Sequence, residues 1–196
     1  MVKLTCTEIL EAVNGELQSG DPKSKAYGIS TDSRNINAGN LFIPLKGENF
    51  DGHDYIIDAL NKEASISLTH KDITQKTDKT IIKVEDTLKA LGDIAAYWRS
   101  KFNIPLVAIT GSVGKTSTKD MISAILSQKY NVLKNEGNFN NEIGLPLTLL
   151  KLDSFHEVII VEMGMRGLGE IQRLSLISKP NISVITNIGT SHIEKL

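Results

Sequence analysis

The segment LVAITGSVGKTSTK, residues 106–119, limits the fold of this chain more than any other stretch. An apolar run leads into two closely spaced glycines, then a lysine and a row of hydroxyls. The pattern reads as a buried strand at 106–109, a tight loop, and a helix at 114–128. Met121, Ile122, Ile125 and Leu126 are expected on the helix's inward face. Glycines let backbone N–H groups turn inward around phosphate oxygens, and the helix N-terminus adds partial positive charge. Gly111, Ser112, Val113, Gly114, Lys115, Thr116 and Ser117 are therefore the candidate phosphate-binding residues. Lys115 can neutralise β- and γ-phosphates, and the Thr116 hydroxyl can ligate Mg²⁺. The common pattern G-x-x-x-x-G-K-[ST] has glycine where this chain has Ile109. A glycine-rich turn with an incidental lysine is the bland alternative; a strand before and a helix after favour phosphate.

Downstream, the pattern alternates. A short strand is expected at 131–133, a helix at 143–150, a strand at 157–162, a helix at 168–178 and a strand at 182–186. Strands alternating with helices imply a largely parallel sheet covered on both faces. Upstream the organisation differs. Thr5 and Glu8 have capping-box spacing before a helix that Asn14-Gly15 ends. Strand-like runs at 27–30 and 41–45, a helix at 54–62, and strands at 65–69 and 80–84 complete a small α+β unit. Asp86 can then cap a helix whose Leu88, Leu91, Ile94, Ala95 and Trp98 recur at helical spacing. The expected fold class is α/β: an α+β domain over residues 1–84, then an α/β phosphate-loop domain over 85–196. Because the last strand is followed by so little chain, the second domain reads as incomplete and the sequence as part of a longer protein.

Composition narrows the function classes. The 196 residues carry 22 Lys and Arg against 23 Asp and Glu, for a net charge of −1, and the basic residues are scattered. That is not the electrostatic footprint of a nucleic-acid binder. No apolar run has the length needed to span a bilayer, so membrane insertion is not expected. The single cysteine, Cys6, cannot form an intramolecular disulfide and fits a reducing cytoplasmic setting.

Several motifs are recognisable. TGSVGKTSTK resembles the ATP loop of the Mur ligases and of the related folylpolyglutamate synthetases, which form amide bonds through an acyl phosphate. ISTDSRNINAGNLFIPLKGENFDGH, residues 29–53, resembles the UDP-binding N-terminal domain of the Mur ligases that add the third peptide residue or the terminal dipeptide. GNFNNEIGLP (137–146), VEMGMRGLGEI (161–171) and TNIGTSHIEKL (186–196) resemble the dipeptide-adding branch. The resemblance implies ATP and Mg²⁺ as cofactors, with UDP-N-acetylmuramoyl-tripeptide and D-alanyl-D-alanine as substrates; it also implies that this stretch alone binds the UDP substrate, binds ATP weakly and ligates nothing. It implies Lys115, Glu162 and His192 as catalytic, with Thr116, Glu162 and His192 holding metal and Asn187 in the nucleotide pocket. Ser30, Thr31, Asp32, Ser33, Arg34 and Lys46 would hold the UDP portion, and Asn138, Asn140 and Asn141 the muramoyl-peptide. Read without the resemblance, Thr31–Arg34 is an ordinary Asp/Ser turn and the asparagines are loop residues. A third-residue ligase and a non-catalytic nucleotide-binding module are the competing readings.

Overall fold

The computed structural model describes residues 2–73 and 77–189, which form two compact units, Met1–Ile94 and Ala95–Leu196. The division falls inside the helix Thr87–Ser100.

The first unit opens with β1 (Lys3–Thr5) and α1 (Cys6–Val13). Thr5 accepts the Glu8 N–H while the Glu8 carboxylate accepts from the Thr5 backbone, so the capping box is complete. Asn14, in the left-handed region at φ 47°, ends the helix. Then follow β2 (Glu16–Ser19), β3 (Lys25–Tyr27), β4 (Ile29–Ser30) and β5 (Leu41–Phe42). A 3₁₀ turn (Gly52–Tyr55) leads into α2 (Ile56–Asn61), followed by β6 (Ile66–Thr69) and β7 (Thr80–Lys83). β1 and β3 form an antiparallel pair, and the main sheet has the order β2-β7-β6-β5-β4. β7, β6, β5 and β4 run parallel; β2 joins β7 antiparallel at one edge. Phe42, Ile56, Ala59, Leu60, Ala64 and Ile81 form the core between α2 and this sheet. The carboxyl end of β4 therefore delivers residues 31–34 to the rim of a parallel sheet.

The helix α3 (Thr87–Ser100) starts where Asp86 Oδ1 accepts the N–H groups of Leu88 and Lys89. In the second unit come β8 (Leu106–Thr110), α4 (Lys115–Leu126), β9 (Val132–Lys134) and α5 (Gly144–Leu149). They are followed by β10 (Val158–Glu162), α6 (Glu170–Ser178) and β11 (Ile182–Ile185). All the strands are parallel, in the order β11-β8-β10-β9. The alternation of strand and helix thus gives the expected parallel sheet. Val107, Ile109 and Ile160 meet Ile122 and Leu126 of α4, with Val132 and Val184 beside them.

The inward face of α4 corrects the sequence expectation. Met121 is 67% and Ile125 70% exposed, whereas Lys119 and Ser123 are buried. The inward arc is the buried Lys119 and Ser123 with the partly buried Ile122 and Leu126, so two of the four expected residues face the sheet and the stripe is displaced from the one expected. Lys119 can lie there because its Nζ donates to Asn135 O at 3.1 Å, a partner on a distant loop.

Candidate nucleotide and substrate sites

Three neighbouring strands end together in the second unit. Register pairs Glu162 of β10 with Ile109 of β8, and Ile185 of β11 with Thr110. The loops after β8 and β11 and the end of β10 consequently meet at one sheet edge, where open α/β sheets bind ligands.

The loop after β8 is shaped by two glycines. Gly111 has φ +135°, and a Cβ there would stand 2.2 Å from Thr186 Oγ1. Gly114, at φ +84°, precedes α4 and offers no side-chain cap. The first N–H groups of α4 thus have neither a helical acceptor nor a side-chain cap, which suits an anion. The segment after β11 supports the loop from outside. Thr186 Oγ1 donates to Val113 O at 2.6 Å, and Asn187 Oδ1 accepts the Val113 N–H at 3.0 Å. The Asn187 carbonyl accepts from Ser112 N at 3.2 Å, and the Gly189 N–H donates to Ser112 Oγ at 2.8 Å. Asn187 therefore grips the phosphate loop itself. Lys115 Nζ folds back to donate to Gly111 O at 2.7 Å and Ser112 O at 3.3 Å, and Ser117 is exposed on the first turn of α4. A cavity of about 210 Å³ lies here, between Thr110, Gly111, Lys115, Met165, Ile171 and Asn187.

Glu162 is only 3% exposed. Its Oε2 accepts from Thr116 Oγ1 at 2.7 Å and its Oε1 from Asn140 Nδ2 at 2.8 Å. The backbone of Glu162 is held on both sides by Asn135, whose Oδ1 accepts its N–H and whose Nδ2 donates to its carbonyl, both at 2.9 Å. A buried carboxylate beside a hydroxyl is an oxygen donor set suited to a hard cation. Among the described residues no group of three or more His, Cys, Asp or Glu could hold a metal ion.

The asparagines separate in role. Asn140 faces Glu162; Asn141 Oδ1 accepts the Ile143 and Gly144 N–H groups at the start of α5; Asn138 is exposed. His192 lies outside the described residues. Sequence reading passed over Asn135, Lys119 and Thr186. Only Thr186 had a local cue, as the last residue of an expected strand.

In the first unit a cavity of about 380 Å³ is lined by Thr31, Asp32, Ser33, Arg34, Phe42, Phe50, Gly52 and Tyr55. Ser30 and Lys46 are not among its lining residues. Ser30 Oγ donates to Asp32 O at 2.9 Å and to Asn35 O at 3.1 Å, fixing the turn rather than facing the cavity. Arg34 grips Asp32 with Nε to Oδ1 and Nη2 to Oδ2, each 2.9 Å. This fork holds the Asp32 carboxyl well below the usual carboxylate range. Phe50 and Tyr55 add exposed aromatic walls that no spacing pattern had singled out.

In the same 3₁₀ turn as Gly52 and Tyr55, His53 is buried. Its Nδ1 lies 2.6 Å from Asp51 Oδ1, its ring centroid 3.8 Å from that of His70, and its Nε2 has no hydrogen-bond partner among the described residues. Lys71 Nζ donates to Asp51 Oδ2 at 2.6 Å. Burial pushes the His53 pKa below its ordinary value, against the pull of Asp51.

A parallel sheet whose first strand runs through a glycine loop into a helix places the second unit among phosphate-loop nucleotide-binding domains. Comparison with known proteins narrows the class. The Mur ligase middle domain matches residues 109–196, and the Mur ligase family catalytic domain matches residues 25–99. The UDP-N-acetylmuramoyl-tripeptide–D-alanyl-D-alanine ligase of Synechocystis sp. is 50% identical over 167 residues, covering 84% of this chain and 37% of that protein. The ligase of the same name from Bacillus subtilis is 41% identical over 198 residues, covering 100% of this chain and 43% of its own length. A crystal structure of MurF from Acinetobacter baumannii superposes with a TM-score of 0.92 at 34% identity, covering 98% of this chain and 43% of that one. MurF ligase from Thermotoga maritima in complex with ADP gives 0.79 at 34% identity, covering 84% of this chain and 38% of that one. The chain belongs to the Mur ligase family, and it spans less than half the length of these relatives.

Proposed function

We propose that this chain provides the UDP-substrate and ATP sites of a ligase that joins D-alanyl-D-alanine to UDP-N-acetylmuramoyl-tripeptide. The observation that carries the reading is the Thr116–Glu162 pair at the mouth of the phosphate loop, in a chain whose close relatives bear that ligase's name.

In this reading the tripeptide's terminal carboxylate attacks the γ-phosphorus of ATP, forming an acyl phosphate and releasing ADP. The dipeptide amine then attacks the acyl carbon; inorganic phosphate leaves and the amine proton is lost. The loop N–H groups and Lys115 hold the phosphates, Lys115 exchanging the Gly111 and Ser112 carbonyls for phosphate oxygens. Preorganised positive charge of this kind supplies much of the stabilisation in phosphoryl transfer. Thr116 and Glu162 would hold Mg²⁺, which supplies charge neutralisation on the nucleotide, with His192 as a further ligand. Asn187 keeps the loop in shape. Thr31–Arg34 receive the UDP end, where Arg34 can exchange Asp32 for a diphosphate.

Calorimetry tests the two binding sites separately, with ADP and with UDP-N-acetylmuramoyl-tripeptide. Phosphate release by a ligase of the relatives' length carrying this sequence tests the reaction. Release dependent on D-alanyl-D-alanine is the expected result. Release dependent on a diamino acid would point to the third-residue ligase, and nucleotide binding with no acceptor-dependent release to a non-catalytic module.

A further inference from the structure

The two oxygens of the Glu162 carboxylate are treated differently by the fold. Oε2 meets the Thr116 hydroxyl, on the phosphate loop's helix. Oε1 meets Asn140, and since a carboxylate only accepts, the nitrogen of the amide must face it. Asn140 is itself fixed. Its N–H donates to Asn138 O at 2.7 Å, and its carbonyl accepts the Gly164 N–H at 2.8 Å. Gly164 also backs the amide closely, so that a Cβ there would lie 3.0 Å from Asn140 Cγ and Oδ1. With Asn135 holding the Glu162 backbone, neither end of the glutamate is free to turn.

An amide nitrogen presents hydrogens, not a lone pair, so Asn140 as oriented cannot be a metal ligand. What it can do is occupy one carboxylate oxygen. We propose that Asn140 is a positioning residue that reserves Oε1 and leaves Glu162 a one-oxygen ligand, making the site selective for Mg²⁺ over Ca²⁺. The inference rests on reading Thr116 and Glu162 as the cation-holding pair. It moves Asn140 away from the muramoyl-peptide, where its motif had placed it. Mg²⁺ requires short bonds in a near-ideal octahedron and is content with a single oxygen from each carboxylate. Ca²⁺ takes more oxygens at longer range and frequently uses both from one carboxylate. At Glu162 that bidentate mode would break a hydrogen bond to a buried charge.

The test is calorimetric titration of the chain with ADP in Mg²⁺, in Ca²⁺ and in chelator. The original chain should bind ADP more tightly with Mg²⁺ than with Ca²⁺. Outer-shell partners of metal ligands typically contribute about 10- to 100-fold to metal affinity. Asn140→Ala should therefore weaken the Mg²⁺-supported affinity about tenfold and narrow the Mg²⁺/Ca²⁺ ratio, with ADP binding in chelator unchanged. Gly164→Ala, which pushes on the amide without deleting it, should shift the ratio the same way by less; it decides the question if Asn140→Ala does not fold. A merely structural Asn140 would lower affinity equally for both cations. An unchanged ratio in the folded variants, with cation dependence intact in the original chain, overturns the proposal alone. If neither cation affects ADP binding by the original chain, the proposal and the reading of Glu162 fall together.

Discussion

Both candidate sites begin where a parallel strand ends, yet the two loops are stabilised in opposite ways. The turn after β4 is closed on itself: Asp32 accepts from Arg34 and Asn35, and Ser30 ties its two limbs. The loop after β8 is held from outside by Thr186 and Asn187, two residues more than seventy positions away. A self-closed turn must exchange internal partners to bind. An externally braced loop keeps its shape, with its Ser112 and Val113 N–H groups already held by Asn187 and the donors at the start of α4 left without a side-chain cap. Phosphate bound there would cost Lys115 its bonds to the Gly111 and Ser112 carbonyls, whereas a ligand at Arg34 would cost an existing ion pair.

This contrast can be broken by substitution. In a ligase of the relatives' length carrying this sequence, Lys115→Ala should have the largest effect, lowering phosphoryl transfer on the order of 10²-fold or more, since preorganised electrostatic contacts have about that worth. UDP-substrate affinity should be unchanged. An equal loss of that affinity would mean the two loops do not serve separate ligands. Arg34→Ala should act in reverse and more weakly, because the arginine must first leave Asp32. Affinity for UDP-N-acetylmuramoyl-tripeptide should fall about tenfold or less, within the range of one exposed charge-assisted contact, and ADP titrations should not move. A variant binding the UDP substrate normally would return Thr31–Arg34 to an ordinary turn.

The smallest expected effect is on stability, and it belongs to the first unit. Burial disfavours the charged form of His53, while Asp51 favours it and the nearby His70 and Lys71 oppose it. Above the unfolded-state pKa of about 6.5 both states are neutral and the contribution is fully present. Below it the unfolded chain takes up a proton that the folded chain resists, so stability falls as pH drops toward the folded value. Asp32 and Asp51, both depressed, act with the same sign at lower pH, below the ordinary range of about 4. Circular-dichroism melts from pH 8 to pH 5 should show the first loss beginning near 6.5. A melting temperature that rises over this interval would contradict the placement of His53.

How much could be read in advance depended on where each partner sits. The phosphate loop was legible because its requirements are local: two glycines, a lysine and a hydroxyl within a few residues. Glu162 was legible as the end of an apolar strand, and Thr5–Glu8 as a cap. Lys119 was not, since a lysine is expected in water and its acceptor, Asn135, belongs to another element. With Lys119 and Ser123 inside, Met121 and Ile125 lie outside. β1 and β2 escaped notice because they are short and their pairing partners lie far along the chain. Asn140 was noticed as one of several asparagines in a loop, but only the fold distinguishes it from Asn141, which caps a helix.

Trp98 is the chain's sole tryptophan, and these of its contacts lie within the second unit: its Nε1–H donates to Leu152 O at 3.2 Å, Phe102 meets its ring edge-on, and Lys101 Nζ stands 5.8 Å from its ring centroid. Indole emission excited above the tyrosine band therefore reports on one half of the molecule and is blind to secondary structure in the other. Recorded beside circular dichroism, which sums over both units, it separates the second unit's share of the same melt without an added label. The acid-sensitive loss around His53 should appear in the dichroism first, while the tryptophan spectrum keeps the position of an indole whose N–H remains bonded.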